Sequence, residues 1–370
     1  MAVPDISPQK RALVSYMGHA SDLNRETYRP IPKGTKGPFV SPGTADAIVR
    51  ALIDLDYTVD VFPWDTMVNV GHSYDLFFGH LGRSWMHIAR QLPPRCVKIF
   101  YAACPPWDTA NRGKDARIDY LNRRRGFHVP YFSDSADEEL TAYAAADGII
   151  CLGNKTSLDE FASRNPIVRA VPVGTYPDDH FDPETKDFLA GRSRFFFFGA
   201  IGNIRRGLDL LLDAFSGIPE AELYISTILD TEFCSLYARE LSLPNIHYEG
   251  YERLLTSNFY QLVDICDWDI YPSSTEGQSG SVLDCMGQGV IPIVTEACHI
   301  DVDGCGLLIH PHVEDIRETI REAMRLDVAE IKRMACASVA AARTEHTPEA
   351  MYLGIRKALE DICSAKVLHA

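Results

Sequence analysis

No stretch of the chain approaches the roughly 18 consecutive apolar residues that a membrane-spanning helix needs, so a transmembrane protein is excluded as a reading of this sequence. The opening MAVPDISPQKR lacks the apolar centre of a secretory leader, and the expected compartment is the cytoplasm. Positive charge is scarce: 36 Lys and Arg face 51 Asp and Glu, a net charge of -15. A nucleic-acid partner is therefore not expected, because binding by counterion release needs a basic face. The 10 cysteines include no Cys-x-x-Cys, and Cys298 and Cys305, with six residues between them, are the closest pair. That argues against zinc ribbons and a disulfide framework; Cys96, Cys151 and Cys266 lie in apolar runs and read as small reduced hydrophobes. Also missing is the Gly-x-Gly-x-x-Gly spacing of a dinucleotide fold, since Gly199, Gly202 and Gly207 fall at intervals of three and five.

What is present is a repeated alternation of short apolar runs and helical patterns. With 370 residues, 46% of them hydrophobic and 24% charged, the chain is long enough for two domains. The first half reads as strands at 11–17, 58–62, 75–80, 96–103, 148–152 and 167–173. The second half repeats the pattern at 194–198, 222–227, 246–249, 267–271, 291–294 and 306–309. Between the first two strands, Ala47, Ile48, Ala51, Leu52 and Leu55 share one helix face, which makes a βαβ start and implies a parallel sheet. The helix opens at Gly43, whose amide end is a candidate phosphate contact. Ser21 to Gly43 is polar and longer than idle connections usually are. Helices are expected at 208–215, 313–326, 328–343 and 348–362, the last with Pro348 in its first turn.

Three places concentrate functional chemistry. Tyr271 to Val294 reads strand, loop, helix, turn, strand; Glu276 and Asp284 bracket the loop Gly277-Gln278-Ser279-Gly280, whose glycines let a ligand approach the backbone. The loop from Gly199 to Gly207 follows an apolar strand and carries Arg205 and Arg206, whose planar donor forks suit phosphate oxygens. From Asn111 to Phe132 lie Arg112, Lys114, Arg117, Arg123, Arg124, Arg125 and His128, the one concentration of positive charge. It has two readings: a solvated helix face paired with Asp115 and Asp119, or a site for an anionic acceptor or a phospholipid surface. His80 ends the third strand, where ligands approach in open α/β sheets.

Taken in order, these motifs resemble those of the retaining two-lobed glycosyltransferases of group 1, or family 4, over nearly the whole chain. The similarity rests on Pro272-Ser273 followed by two acids eight positions apart, Glu276 and Asp284, on Arg206-Gly207 in place of a Lys-Gly, on Gly174 to Pro183, and on Gly250. It implies two Rossmann-like parallel-sheet lobes (the GT-B architecture) with a cleft between them and a C-terminal helix that crosses back to the first lobe. The expected domains are 1–185 on the acceptor side, 186–346 on the donor side, and the helix 347–370. The resemblance further implies transfer of a sugar from a nucleoside diphosphate sugar, of uridine or guanosine, with retention at the anomeric carbon. Glu276, Arg206 and His80 take the catalytic places. Gly43, Gly199, Arg205, Arg206, Tyr251, Glu276, Gly277, Gln278, Ser279, Gly280 and Asp284 take the donor-binding ones. No cofactor beyond the donor and no metal is implied, and the Asp-x-Asp triplets at Asp54, Asp267 and Asp301 read as accidental. The acceptor class is a glycan, a lipid-linked sugar or a small molecule, with a peripheral membrane contact left open by the arginine cluster.

Two departures stand out. Ala200 occupies the place of the family's first diphosphate arginine, and no histidine follows the strand ending Ala102-Ala103-Cys104. The alternative to an enzyme is thus a catalytically impaired sugar-nucleotide-binding or scaffold protein of the same fold.

Overall fold

The computed structural model describes residues 10–16, 42–64, 67–70, 73–133, 135–175 and 178–368. Most of the polar passage from Ser21 to Gly43 lies outside the described residues. In chain order the elements are β1 (Lys10–Tyr16), α1 (Pro42–Ile53), β2 (Tyr57–Pro63), β3 (Leu76–Gly79), α2 (Gly82–Ala89), β4 (Val97–Ala102), α3 (Trp107–Arg125), α4 (Asp137–Ala145), β5 (Gly148–Leu152), α5 (Lys155–Ala162) and β6 (Val168–Val171). After these come α6 (Phe188–Gly191), β7 (Arg194–Phe198), α7 (Leu208–Phe215), β8 (Glu222–Ser226), α8 (Thr231–Leu236), β9 (Ile246–Tyr248), α9 (Ser257–Ile265), β10 (Trp268–Tyr271), α10 (Gly280–Met286), β11 (Ile291–Val294), β12 (Leu307–Leu308), α11 (Val313–Ala323), α12 (Val328–Glu345) and α13 (Pro348–Leu368).

Two six-stranded sheets result, ordered β2-β1-β3-β4-β5-β6 and β12-β11-β10-β7-β8-β9, and every pairing in both is parallel. Parallel sheets are covered on both faces, which is why β3, LFFG, and β7, RFFFF, are continuous apolar runs and not alternating ones. The chain divides into two compact units: residues 1–108, 134–174 and 348–370 form one, and 109–133 with 175–347 form the other.

In the first unit α13 lays Met351, Tyr352, Ile355, Ala358, Leu359 and Ile362 against Ala47, Ile48, Ala51 and Leu52 of α1. Both helices repeat apolar residues every three to four positions, the spacing that puts them on one stripe. In the second unit Phe196, Phe198, Phe259, Val263, Cys266, Cys285 and Val290 fill one core cluster.

The expected boundary at residue 185 falls instead at Thr175, while 348–370 group with the first unit. Residues 109–133, most of α3 and the segment after it, group with the second unit, and the chain enters that unit again at Thr175. The arginine cluster is the physical reason. Arg124 pairs with Asp209 at 3.0 Å and Asp213 at 2.6 Å, and Arg125 with Glu240 at 2.8 Å. Asp115 and Asp119, the partners expected from sequence, instead accept from Ser133 and Tyr131. Arg117, Arg124 and Arg125 are thus internal to a unit, which corrects both the solvated-face and the anionic-ligand readings for those three. Among the described residues, no helix is long and apolar enough to cross a membrane.

Candidate functional site

In an open α/β sheet ligands gather beyond the carboxyl ends of the strands, where the strand order reverses. In the second unit the order β12-β11-β10-β7-β8-β9 reverses between β10 and β7. The loop after β7 is Gly199 to Gly207 and the loop after β10 is Pro272 to Ser279. The two motifs picked out by residue type therefore leave adjacent strands at the switch point.

The loops are tied by their backbones. Ser274 donates from its amide to the Arg205 carbonyl at 2.9 Å and from Oγ to the same oxygen at 3.0 Å. Gly207 makes the approach sterically feasible: its φ is +87°, and a Cβ there would sit 2.4 Å from the Pro272 carbonyl oxygen. At that contact and that dihedral no other residue fits without displacement.

Across this junction Arg205 Nη1 donates to Glu276 Oε1 at 2.9 Å and to the Thr275 carbonyl at 2.7 Å. Arg206 Nε stands 3.5 Å from the same Glu276 oxygen. It is buried without a hydrogen bond, an arrangement that proteins rarely leave unanswered. The Arg206 guanidinium lies 5.8 Å from the centre of the Tyr271 ring, and the Tyr271 hydroxyl is 3.4 Å from Glu276 Oε1. Burial, then Glu276, pushes the Tyr271 phenol up, so it remains a neutral donor. The side chains of Arg205, Arg206 and Glu276 are 28%, 17% and 15% exposed, so all three still reach solvent. Two guanidinium groups on one carboxylate leave an excess positive charge, and the site favours an additional anion.

The remaining donor-side residues are placed as follows. Gly277, Gln278 and Ser279 are buried; Gln278 donates to the His299 carbonyl at 3.1 Å, and the Ser279 and Ser281 hydroxyls lie 3.3 Å apart. Asp284 is half-buried on α10. Gly199 follows β7 and lies against Arg206, whose Nη1 would be 3.0 Å from a Cβ at that position. Ala200, where the resemblance leads one to expect an arginine, accepts from the Ile228 amide at 3.0 Å. Tyr251 is 40% exposed after Gly250, whose φ is +81°.

The first unit holds the other two candidates. His80 follows β3, beside the reversal between β1 and β3, and is buried, with Nδ1 2.8 Å from the Tyr101 carbonyl and the Tyr16 and Tyr101 rings alongside. Burial pushes its pKa down, so the imidazole is neutral. Gly43 is half-buried in the first turn of α1, and Thr44 beside it is buried.

Sequence reasoning names Arg117 only as one of the basic cluster and passes over Asp209. Arg117 donates to the Pro272 carbonyl at 2.6 Å and the Ile204 carbonyl at 3.3 Å, and lies 3.5 Å from Asp209, which is fully buried. A signal existed: Ala110, Arg117, Ile118 and Leu121 form the buried side of α3, so one cation sits among apolar residues at helical spacing.

No family model matches the chain and no curated protein matches it. Solved structures do. Sucrose-phosphate synthase from Thermosynechococcus elongatus superposes with a TM-score of 0.65 at 14% identity over 96% of this chain and 100% of that one. HepE of Anabaena, solved with UDP, gives 0.61 at 13% identity over 95% and 100%. TarM gives 0.56 at 11% identity over 78% of this chain; the match spans 54% of TarM, about half its length. At such identities the likeness shows the fold, and the chain has the two-lobed GT-B fold of these glycosyltransferases.

Proposed function

We propose that this chain is a glycosyltransferase that moves a sugar from a nucleoside diphosphate sugar to a glycan, lipid-linked or small-molecule acceptor, with retention of configuration and without a metal. The observation that carries the reading is the convergence of Arg205 and Arg206 on Glu276 between two loops at the strand-order reversal. Departure of a diphosphate builds negative charge on its oxygens, and preformed cations in a partly buried site stabilise that charge more than water would. Arg206, 17% exposed with its Nε 3.5 Å from Glu276, would meet such an oxygen with the solvent-reaching part of its guanidinium. Arg205 supplies the second cation that Ala200 does not. Glu276 would orient donor hydroxyls, and Asp284 would accept from the ribose. The anomeric carbon would pass through an oxocarbenium-like state, as in glycosidases.

Ala200 and the absence of a histidine after β4 favour a second reading, in which the chain binds a sugar nucleotide without turning it over. The two are separated by one set of measurements. Melting temperatures are recorded with UDP, GDP and their sugars, UDP first because HepE was solved with it, and the binding pair is then assayed for release of nucleoside diphosphate with an acceptor panel. A ligand-specific rise in melting temperature with release supports the enzyme; a rise without release supports the binding protein. No rise with any nucleotide overturns both.

A further inference from the structure

The segment of first-half sequence that joins the second unit does more there than fill a gap. On α3, Gly113 and Arg117 are four residues apart and so share a face. Both meet the loop after β10. A Cβ on Gly113 would lie 2.5 Å from the Ser274 carbonyl oxygen, which sets how closely the helix rests on the loop. Arg117 reaches past that point to both loops at once, giving one nitrogen to the Pro272 carbonyl and another to the Ile204 carbonyl. Each carbonyl is in the residue next to, or a few before, a charged group of the site: Ile204 precedes Arg205, and Pro272 lies four positions before Glu276.

We propose that Arg117 is a positioning residue: its guanidinium fork fastens the Gly199–Gly207 loop to the Pro272–Ser279 loop and thereby sets the separation of Arg205 and Arg206 from Glu276. Its hydrogen bonds go to the Pro272 and Ile204 carbonyls, so it acts through the backbone that carries the three side chains. The fork matters because it reaches the two carbonyls from two separate nitrogens held in a fixed plane, whereas a lysine must serve all its acceptors from one nitrogen, as Lys186 does for Val263, Cys266 and Gly289. Asp209, 3.5 Å away and fully buried, holds the guanidinium in place and balances its charge. The inference deepens the donor-site reading and rests on it for what the positioned groups bind.

Because deleting the charge would leave the buried Asp209 with Arg124 alone, the test uses two variants that keep the electrostatics. Arg117→Lys retains the cation and loses the fork; Gly113→Ala retains Arg117 and wedges α3 from Ser274. The first readout needs no ligand: amide hydrogen exchange in peptides covering 199–207 and 272–280, against 246–250 as an internal control. At least tenfold faster exchange in both loops and not in the control is expected. The second readout compares UDP with uridine, and GDP with guanosine, by calorimetry. Tenfold or greater loss of diphosphate affinity with nucleoside affinity unchanged is expected, a split that a general loss of structure would not give. Unchanged loop exchange in both variants overturns the inference, as does an equal loss for nucleoside and diphosphate. If the loops loosen as expected while the unaltered protein binds no nucleoside diphosphate, the fastening stands and the donor-site reading falls.

Discussion

Arg205 donates from one Nη1 both to the Glu276 carboxylate at 2.9 Å and to the carbonyl of the preceding residue, Thr275, at 2.7 Å. The carboxylate thus occupies the cations that a diphosphate would want. Replacing it by the isosteric amide removes the internal competitor and leaves the loop backbone untouched. Glu276→Gln should therefore bind UDP or GDP about as well as the unaltered protein or up to about tenfold better. Turnover should fall by about a hundredfold or more, the scale of losing a group that acts in the transition state. Calorimetry and a donor-turnover assay check the two directions; parallel losses of both, or unchanged turnover, would remove Glu276 from the site. Arg206→Met should lose both binding and turnover.

Gly207 is where the two loops come closest. With φ at +87° and a Cβ position 2.4 Å from the Pro272 carbonyl, Gly207→Ala meets a backbone penalty of about 1–2 kcal/mol and must also push the loops apart. Urea denaturation should show a loss of at least that size, and diphosphate affinity should fall more than nucleoside affinity. A variant as stable and as competent as the unaltered chain would show that the loops are not packed as described.

How far this site was legible in the sequence depends on the range of each contact. Glu276, Gly277 and Asp284 lie on one strand-loop-helix stretch, so their grouping follows from spacing alone. Arg205 and Arg206 were assigned by residue type at a strand end, and strand order then brought β7 beside β10. Strands were legible because parallel sheets bury both faces, which makes RFFFF and LFFG unmistakable. Arg117 was not, because what fixes it is a tertiary pairing across 155 positions to Pro272, and local pattern showed only a basic helix. The helix was misread for the same reason: its partners Asp209, Asp213 and Glu240 lie far along the chain.

The first unit contains a carboxyl group with consequences for pH. Glu139 on α4 accepts from the Gly82 amide at the start of α2 at 2.6 Å, and its other oxygen is buried without a partner. Burial pushes it from 4.5 up to about 7, against the pull of the amide, and Glu138 adds to the rise. The folded chain therefore holds this proton more tightly than the unfolded one. The resulting stability is fully present below about pH 4.5, declines as pH rises through that interval, and is gone above pH 7. Glu139→Gln keeps the acceptor for Gly82 and cannot ionise. At pH 8 it should be the more stable protein by about 3 kcal/mol, with the difference vanishing near pH 4.5. Asp267, also pushed up to about 7 by burial, contributes the same slope to both proteins and drops out of the comparison. A constant difference between pH 5 and pH 8 in urea midpoints would show that Glu139 does not titrate in this range.

The two units also offer a direct contrast between ion pairs. Arg50 and Glu349 meet at 2.8 Å with side chains 52% and 57% exposed. Asp209, fully buried, faces Arg124 at 3.0 Å and Arg117 at 3.5 Å. Water screens the first pair, and its removal by Glu349→Ala should cost no more than about 1 kcal/mol. That small loss should shrink further in high salt. Removing Asp209 instead leaves the buried Arg117 without its counter-charge and beside Arg124, which keeps only Asp213. Burial already pulls the Arg117 pKa down, and Asp209 is the main group opposing it. Asp209→Ala should therefore destabilise the second unit by about 3–5 kcal/mol, with little salt dependence. Denaturant titration of both variants at low and high ionic strength decides the matter: if Asp209→Ala costs no more than Glu349→Ala, the cluster is hydrated, and α3 is not fixed to the second unit by buried charge.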